Sequence, residues 1–210
     1  MTALLKRWIA ASVLLIGSHA FAEGSQPYDV LPEPVPVMAD GKVHVEEAFW
    51  YGCPHCFHLE STLEPWVKNL PADVEFDRVP AMFGRAWVSH AQLFYTVDAL
   101  GVLDKLHTDL FRAIHIDKLR LLTQEEQRDF VVAKGGVTPE DFDKAYNSFT
   151  VKSRLKQGDQ RIRSFNISGV PALIVQGKYV VNATTAGGQE NMTAVVDSLI
   201  EKERAALKGK

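Results

Sequence analysis

The 210-residue sequence is poor in cysteine, holding only Cys53 and Cys56, and it carries no surplus of positive charge. Two thiols three positions apart are too few and too close together for a disulfide scaffold or a four-cysteine zinc site. The balance of 23 Lys+Arg against 26 Asp+Glu, a net of −3, lacks the basic footprint that nucleic acid or an anionic membrane surface requires, so neither is expected as a partner. Repeats and low-complexity tracts are also missing. What remains, 46% hydrophobic and 23% charged, is the composition of an ordinary globular chain of one domain, or one domain carrying an insertion.

The first segment reads as a targeting signal. Lys6 and Arg7 precede an apolar run from Trp8 to Ile16, and Ala20-Phe21-Ala22 has the small-x-small form of a cleavage site. The run is too short to span a bilayer with any margin, although an N-terminal anchor is the alternative. No cysteine lies near the cleavage region, which excludes lipid attachment at a new N-terminal cysteine. Residues 1–22 are therefore expected to be a signal peptide and 23–210 the mature chain, exported to an oxidising compartment. There a cysteine pair is either a structural staple or a redox centre.

From Glu23 to about Asp40, four prolines predict an extended lead-in rather than a regular element. Val43 to Phe49 reads as a strand, and the period of two puts Glu47 on the same face as Val43, Val45 and Phe49. The strand runs into the cysteines, after which Leu59, Leu63, Trp66, Val67 and Leu70 recur at helical spacing. Pro65 inside that pattern predicts a kink or interruption. Val74 to Val79 is a second strand, with Val74, Phe76 and Arg78 on one face. From about Gly84 the pattern is helical only, with a capping box at Thr123-Gln124-Glu125-Glu126 and Thr138-Pro139 opening a later helix. Strands return at Pro171–Val175 and Lys178–Val181 across a Gln176-Gly177 turn, and Asn191 to Leu207 closes the chain as a helix. The plan is an α/β sheet domain with a helical insertion at about 84–150.

Cys53-Pro54-His55-Cys56 sets one thiol at the start of a helix, where unpaired N–H groups and the positive end of the macrodipole favour a thiolate. Pro54 suits the first turn, where a missing N–H costs nothing. The helix terminus contributes only about 0.3–2 kcal/mol, but His55 adds a donor or positive charge beside the same sulfur. A stabilised thiolate stabilises the reduced form and makes the disulfide an oxidant. The pair admits three other readings. A disulfide across two intervening residues closes too short a loop to stabilise much. Zinc would need histidines from among His44, His55, His58, His90, His107 and His115, none of which repeats a ligand-pair spacing. Covalent haem attachment needs His directly after the second cysteine, where this chain has Phe57.

The stretch Glu46-Glu47-Ala48-Phe49-Trp50-Tyr51-Gly52-Cys53-Pro54-His55-Cys56, together with Ser168-Gly169-Val170-Pro171-Ala172-Leu173 and its continuation to Tyr179, resembles the DsbA family of periplasmic thiol:disulfide oxidoreductases. That family is itself a standard illustration of a low cysteine pKa and a strongly oxidising pair. The resemblance implies a thioredoxin fold with an inserted helical domain. It implies Cys53 as the attacking cysteine, Cys56 as the buried resolving one, Pro54 and His55 as the tuning dipeptide, and a Cys53–Cys56 disulfide in the oxidised form. Pro171 matches the family's cis-proline, with Val170, Pro171 and His55 as contacts for substrate. Glu47 matches a buried acid beneath the site, and Arg78 falls about where the family has a basic partner, with a solvated strand residue as the equal alternative. Trp50, Phe57, Phe83 and Trp87 are candidates for a peptide groove, although each alone is more readily core. The implied partners are exported proteins bearing thiols and, for reoxidation, a quinone-linked inner-membrane protein, DsbB. A monomer without metal or other cofactor is expected. The alternatives are a disulfide isomerase or reductase on the same fold, or a thiol-based metal-binding module.

Overall fold

The computed structural model describes residues 26–209. The expected signal segment and its cleavage site lie outside the described residues. The framework is a five-stranded sheet of β1 (Asp29–Val30), β2 (Val43–Phe49), β3 (Val74–Pro80), β4 (Ala172–Val175) and β5 (Tyr179–Val181), in the order β1-β5-β4-β2-β3. β2 and β3 run parallel with Glu47 opposite Arg78, and the other pairings are antiparallel. The parallel pair needs a crossover, which α1 (Pro54–Lys68) supplies.

β2 is buried along its whole length because both sheet faces are covered. Val43 and Val45 pack with Leu59 and Leu63 of α1 and with Met192, Val196 and Leu199 of α7 (Met192–Lys208). On the opposite face Ala48 and Ile174 meet Ile162 and Phe165, at the end of α6 (Phe149–Ser164). The period-two reading of Glu47 therefore holds in a demanding form, since an inward carboxylate sits in a strand with no solvent face.

Between β3 and α6 lie α2 (Arg85–Ala99), α3 (Leu103–His115), α4 (Gln124–Gly135) and α5 (Pro139–Tyr146). The sequence explains their ends. Thr123 Oγ1 accepts from the Glu126 N–H, while Glu126 Oε2 accepts from the Thr123 N–H, and Gly136 closes α4 at φ 79°. Thr138 caps α5, with Pro139 in its first turn. Phe49 and Tyr51 leave the sheet and enter the core of these helices, among Phe94, Leu110 and Phe111, and Cys53 and Cys56 belong to that same cluster.

Two local expectations change. The lead-in is not wholly irregular, because Asp29–Val30 pairs with β5 and the Leu31 and Val35 N–H groups donate to the carbonyls of Lys178 and Gly177. Gly177 has to be glycine, since its φ is +59° and a Cβ there would fall 1.9 Å from the Val35 carbonyl oxygen. Nor does Pro65 interrupt α1, which is continuous to Lys68. Pro65 lies in the last turn on an exposed face, so the one carbonyl it leaves without a helical partner, that of Ser61, can turn to water.

Candidate active site

Cys53 is the N-cap of α1, in extended backbone, and its Sγ accepts from the Cys56 N–H at 3.4 Å. Pro54 occupies the first turn, and His55 is exposed beside it. Cys56 follows one turn into the helix and is wholly buried, whereas Cys53 keeps 7% of its surface open. The two sulfurs are thus unlike. Hydrogen bonding from the Cys56 thiol, then from the backbone N–H groups of Cys56 and His55, and the charge of His55 outweigh burial and bring Cys53 down to about 6. Burial, followed by the bond to Cys53 and the charge of Glu47, drives Cys56 far above the ordinary thiol range.

The loop before β4 completes the front of the site. The Val170–Pro171 peptide bond is cis, and the Val170 carbonyl oxygen lies 3.6 Å from Cys53 Sγ. Gln189, which sequence reasoning did not single out, reaches in from the turn before α7 and donates from Nε2 to the His55 carbonyl at 2.6 Å. Trp50 stacks on Trp87 at 4.2 Å and 10°, and Phe83 lies 5.2 Å from Trp87 while remaining 49% exposed. Phe57 stands apart from these three, stacked on His115 at 4.9 Å, and His115 Nε2 in turn contacts the Tyr51 carbonyl at 2.8 Å. Gly52 lets the Trp50 ring fold against the backbone, because a Cβ there would come within 2.3 Å of it.

Behind the cysteines is a buried polar cluster. Arg78 donates from Nε to Glu47 Oε2 at 3.1 Å and from Nη2 to Glu64 Oε1 at 2.7 Å, with Glu60 Oε2 at 3.5 Å. Arg78 is therefore the partner of Glu47 and not a solvated strand residue. Burial, reinforced by the Glu60 charge, nevertheless pushes Glu47 up to about 8, Arg78 only partly opposing. His107 closes the cluster, its Nδ1 at 2.9 Å from the Tyr51 hydroxyl and its Nε2 at 3.5 Å from Glu60 Oε1, and burial lowers its pKa. Glu60 and Glu64 also line a groove of about 690 Å³ between α1 and α3. The one available sequence signal for Glu60 was its position four residues after Cys56, on the buried helix face.

Among the described residues, Glu60, Glu64 and His107 are the group whose donor atoms come within 4.8 Å of one another as a metal site would need. The Arg78 guanidinium already stands among these carboxylates as their cation. Neither Cys53 nor Cys56 belongs to that group.

The DSBA-like thioredoxin domain model matches residues 44–199. The chain belongs to the DsbA family. It is 44% identical over 202 residues to the thiol:disulfide interchange protein DsbA of Pseudomonas syringae pv. tomato, covering 95% of this chain and 94% of that protein. The DsbA of Azotobacter vinelandii is also 44% identical, over 95% of this chain and 99% of its own. The crystal structure of Pseudomonas aeruginosa DsbA superposes with a TM-score of 0.82 at 44% identity, over 87% of this chain and 95% of that one. The DsbA oxidoreductase of Xylella fastidiosa gives 0.79 at 32% identity, over 85% and 95%. The protein is accordingly a DsbA-type thiol:disulfide oxidoreductase, a disulfide oxidase with the thioredoxin fold and an inserted helical domain, as the motifs implied.

Proposed function

We propose that this DsbA protein donates a Cys53–Cys56 disulfide to newly exported proteins. The supporting observation is the asymmetry of the two sulfurs, one partly open with a depressed pKa, the other enclosed with a raised one. A substrate thiolate attacks Cys53 Sγ, the Cys53–Cys56 bond breaks, and Cys56 leaves as a thiolate that takes a proton from Glu47. A second substrate thiolate then attacks the substrate sulfur of the mixed disulfide, and Cys53 departs as its stabilised thiolate. Two electrons pass to the enzyme and the substrate keeps the new disulfide. Pro54 and His55 tune Cys53. Val170 and Pro171, with His55 opposite, hold the substrate backbone beside the sulfur, and Trp50, Phe83 and Trp87 provide apolar surface for its side chains.

Residues 1–22 direct export and are cleaved off, the mature chain 23–210 works in the periplasm as a monomer, and the helical insertion spans about 84–150. A quinone-linked DsbB-type membrane protein reoxidises the dithiol. Cys53→Ser should abolish oxidation of a reduced test protein, whereas the Cys53 thiolate of Cys56→Ser should attack a disulfide-bonded test protein, expel one of its sulfurs as a thiolate and persist as a mixed disulfide; trapping through Cys56 in Cys53→Ser instead would overturn the assignment. Alkylation of the pair in intact cells fixes the direction of electron flow. A mostly reduced pool would mean an isomerase or reductase instead.

A further inference from the structure

The peptide unit between His55 and Cys56 is hydrogen-bonded at both ends. Its N–H points to Cys53 Sγ at 3.4 Å, and its carbonyl oxygen accepts from Gln189 Nε2 at 2.6 Å. A carbonyl only accepts, so the Gln189 amide must present its nitrogen there, and the orientation is fixed by the partner. Gln189 is distant in sequence and is brought in by the Gln189–Asn191 turn that opens α7. Gly187 and Gly188, at φ 72° and 149°, swing the chain into that turn, and a Cβ on Gly188 would fall 2.4 Å from Glu190 Oε1.

We propose that Gln189 is a positioning residue for disulfide exchange, acting through the His55–Cys56 peptide to strengthen the hydrogen bond that the Cys56 N–H makes to Cys53 Sγ. The chain of contacts is Gln189 Nε2–H to His55 C=O, then Cys56 N–H to Cys53 Sγ. An amide whose oxygen accepts a hydrogen bond is polarised, and its N–H becomes the better donor, by about 10–30% per link. That donor is worth more to a thiolate than to a thiol or a disulfide sulfur, because a hydrogen bond to an ionised acceptor is roughly twice as strong. Gln189 therefore favours the reduced enzyme and makes its disulfide the stronger oxidant. The inference rests on the reading of Cys53 as the attacked sulfur.

The test replaces the donor with a side chain of similar length. In Gln189→Met, ultraviolet thiolate absorbance against pH should show the Cys53 pKa raised by about 0.3 of a unit, and the equilibrium constant against glutathione should favour the disulfide about two-fold more than in wild type. In Gln189→Glu, which loses the donor and adds a negative charge beside the carbonyl, both changes should be larger. Denaturation of the two redox forms separates tuning from simple attachment of the turn to α1. Tuning lowers the stability of the reduced form relative to the oxidised one, whereas attachment alone lowers both equally. A Met variant with the wild-type pKa, or an equal loss in both forms, would overturn the proposal. Loss of activity in Cys53→Ser alongside a silent Gln189→Met would reject this inference and leave the function intact; retained activity in Cys53→Ser would reject the function itself.

Discussion

Arg78 and Glu47 stand directly opposite each other across the parallel β2–β3 pair and are joined by a 3.1 Å bond from Nε to Oε2, with the carboxylate fully enclosed and the guanidinium nearly so. The same guanidinium reaches Glu64 and Glu60 of α1. One cation thus serves three carboxyl groups behind the reactive cysteines.

Arg78→Met keeps the apolar stem of the side chain and removes that cation. Glu47 is already protonated at neutral pH, so the buried charge that loses this partner is that of Glu60, and an uncompensated buried charge typically costs about 3–5 kcal/mol. Equilibrium unfolding of the oxidised protein in urea at neutral pH should show a loss in that range. A loss below about 1 kcal/mol would mean that water already solvates the cluster.

Glu47 is held at about 8, above its usual 4.5, chiefly by burial. The unfolded chain releases this proton near the ordinary value and the folded chain retains it, so wild-type stability falls as pH rises from about 4.5 through 8. Glu47→Gln removes that dependence and should gain on the wild type steadily between pH 5 and 8. Its neutral amide cannot supply the proton, so oxidation of substrate should slow by about ten-fold or more. Parallel stability and rate measurements across this window test both consequences.

Cys53 has the opposite sign. Its pKa falls from 9.0 to about 6 on folding, so the stability it lends the reduced form is complete above about 9 and disappears as pH drops through 6. The oxidised form has no such thiol. The stability of reduced over oxidised protein should therefore grow between pH 6 and 8, by about 2 kcal/mol at most, since water at the open side of the sulfur screens part of the effect. Chemical denaturation of both forms at several pH values reads the slope directly.

Gly52→Ala forces a methyl group into the Trp50 ring. Overpacking of this kind costs about 1–3 kcal/mol, and here the simplest relief is to unstack Trp50 from Trp87. Tryptophan fluorescence should report the movement, and the apparent affinity for an unfolded substrate should weaken more than the chemistry slows.

The sequence was informative wherever a residue's role is local. Pro54 after Cys53 marked the start of α1, Thr123 with Glu126 marked α4, and strand alternation turned Glu47 inward. It was silent where the deciding partner is remote. The two-residue β1 exists only because β5 offers an edge, and no period can be read from two residues. Arg78 had the right parity, but whether it faced water or a carboxylate depended on where α1 placed Glu60 and Glu64. Gln189 gave no signal at all, since its contact is with a backbone carbonyl, which any residue would present.

Cys53 and Cys56 are embedded in the core that the inserted helices build, together with Phe49 and Tyr51, and not in the core shared by the sheet with α7. The insertion is thus part of the reaction vessel. Trimming the protein to its sheet, α1 and α7 would retain the Cys-Pro-His-Cys sequence and the helix N-terminus but leave Cys56 without its surroundings. The difference between the two thiols would shrink, and with it the bias toward giving disulfides away. A minimal scaffold engineered from this chain would need a substitute wall before it could work as an oxidant.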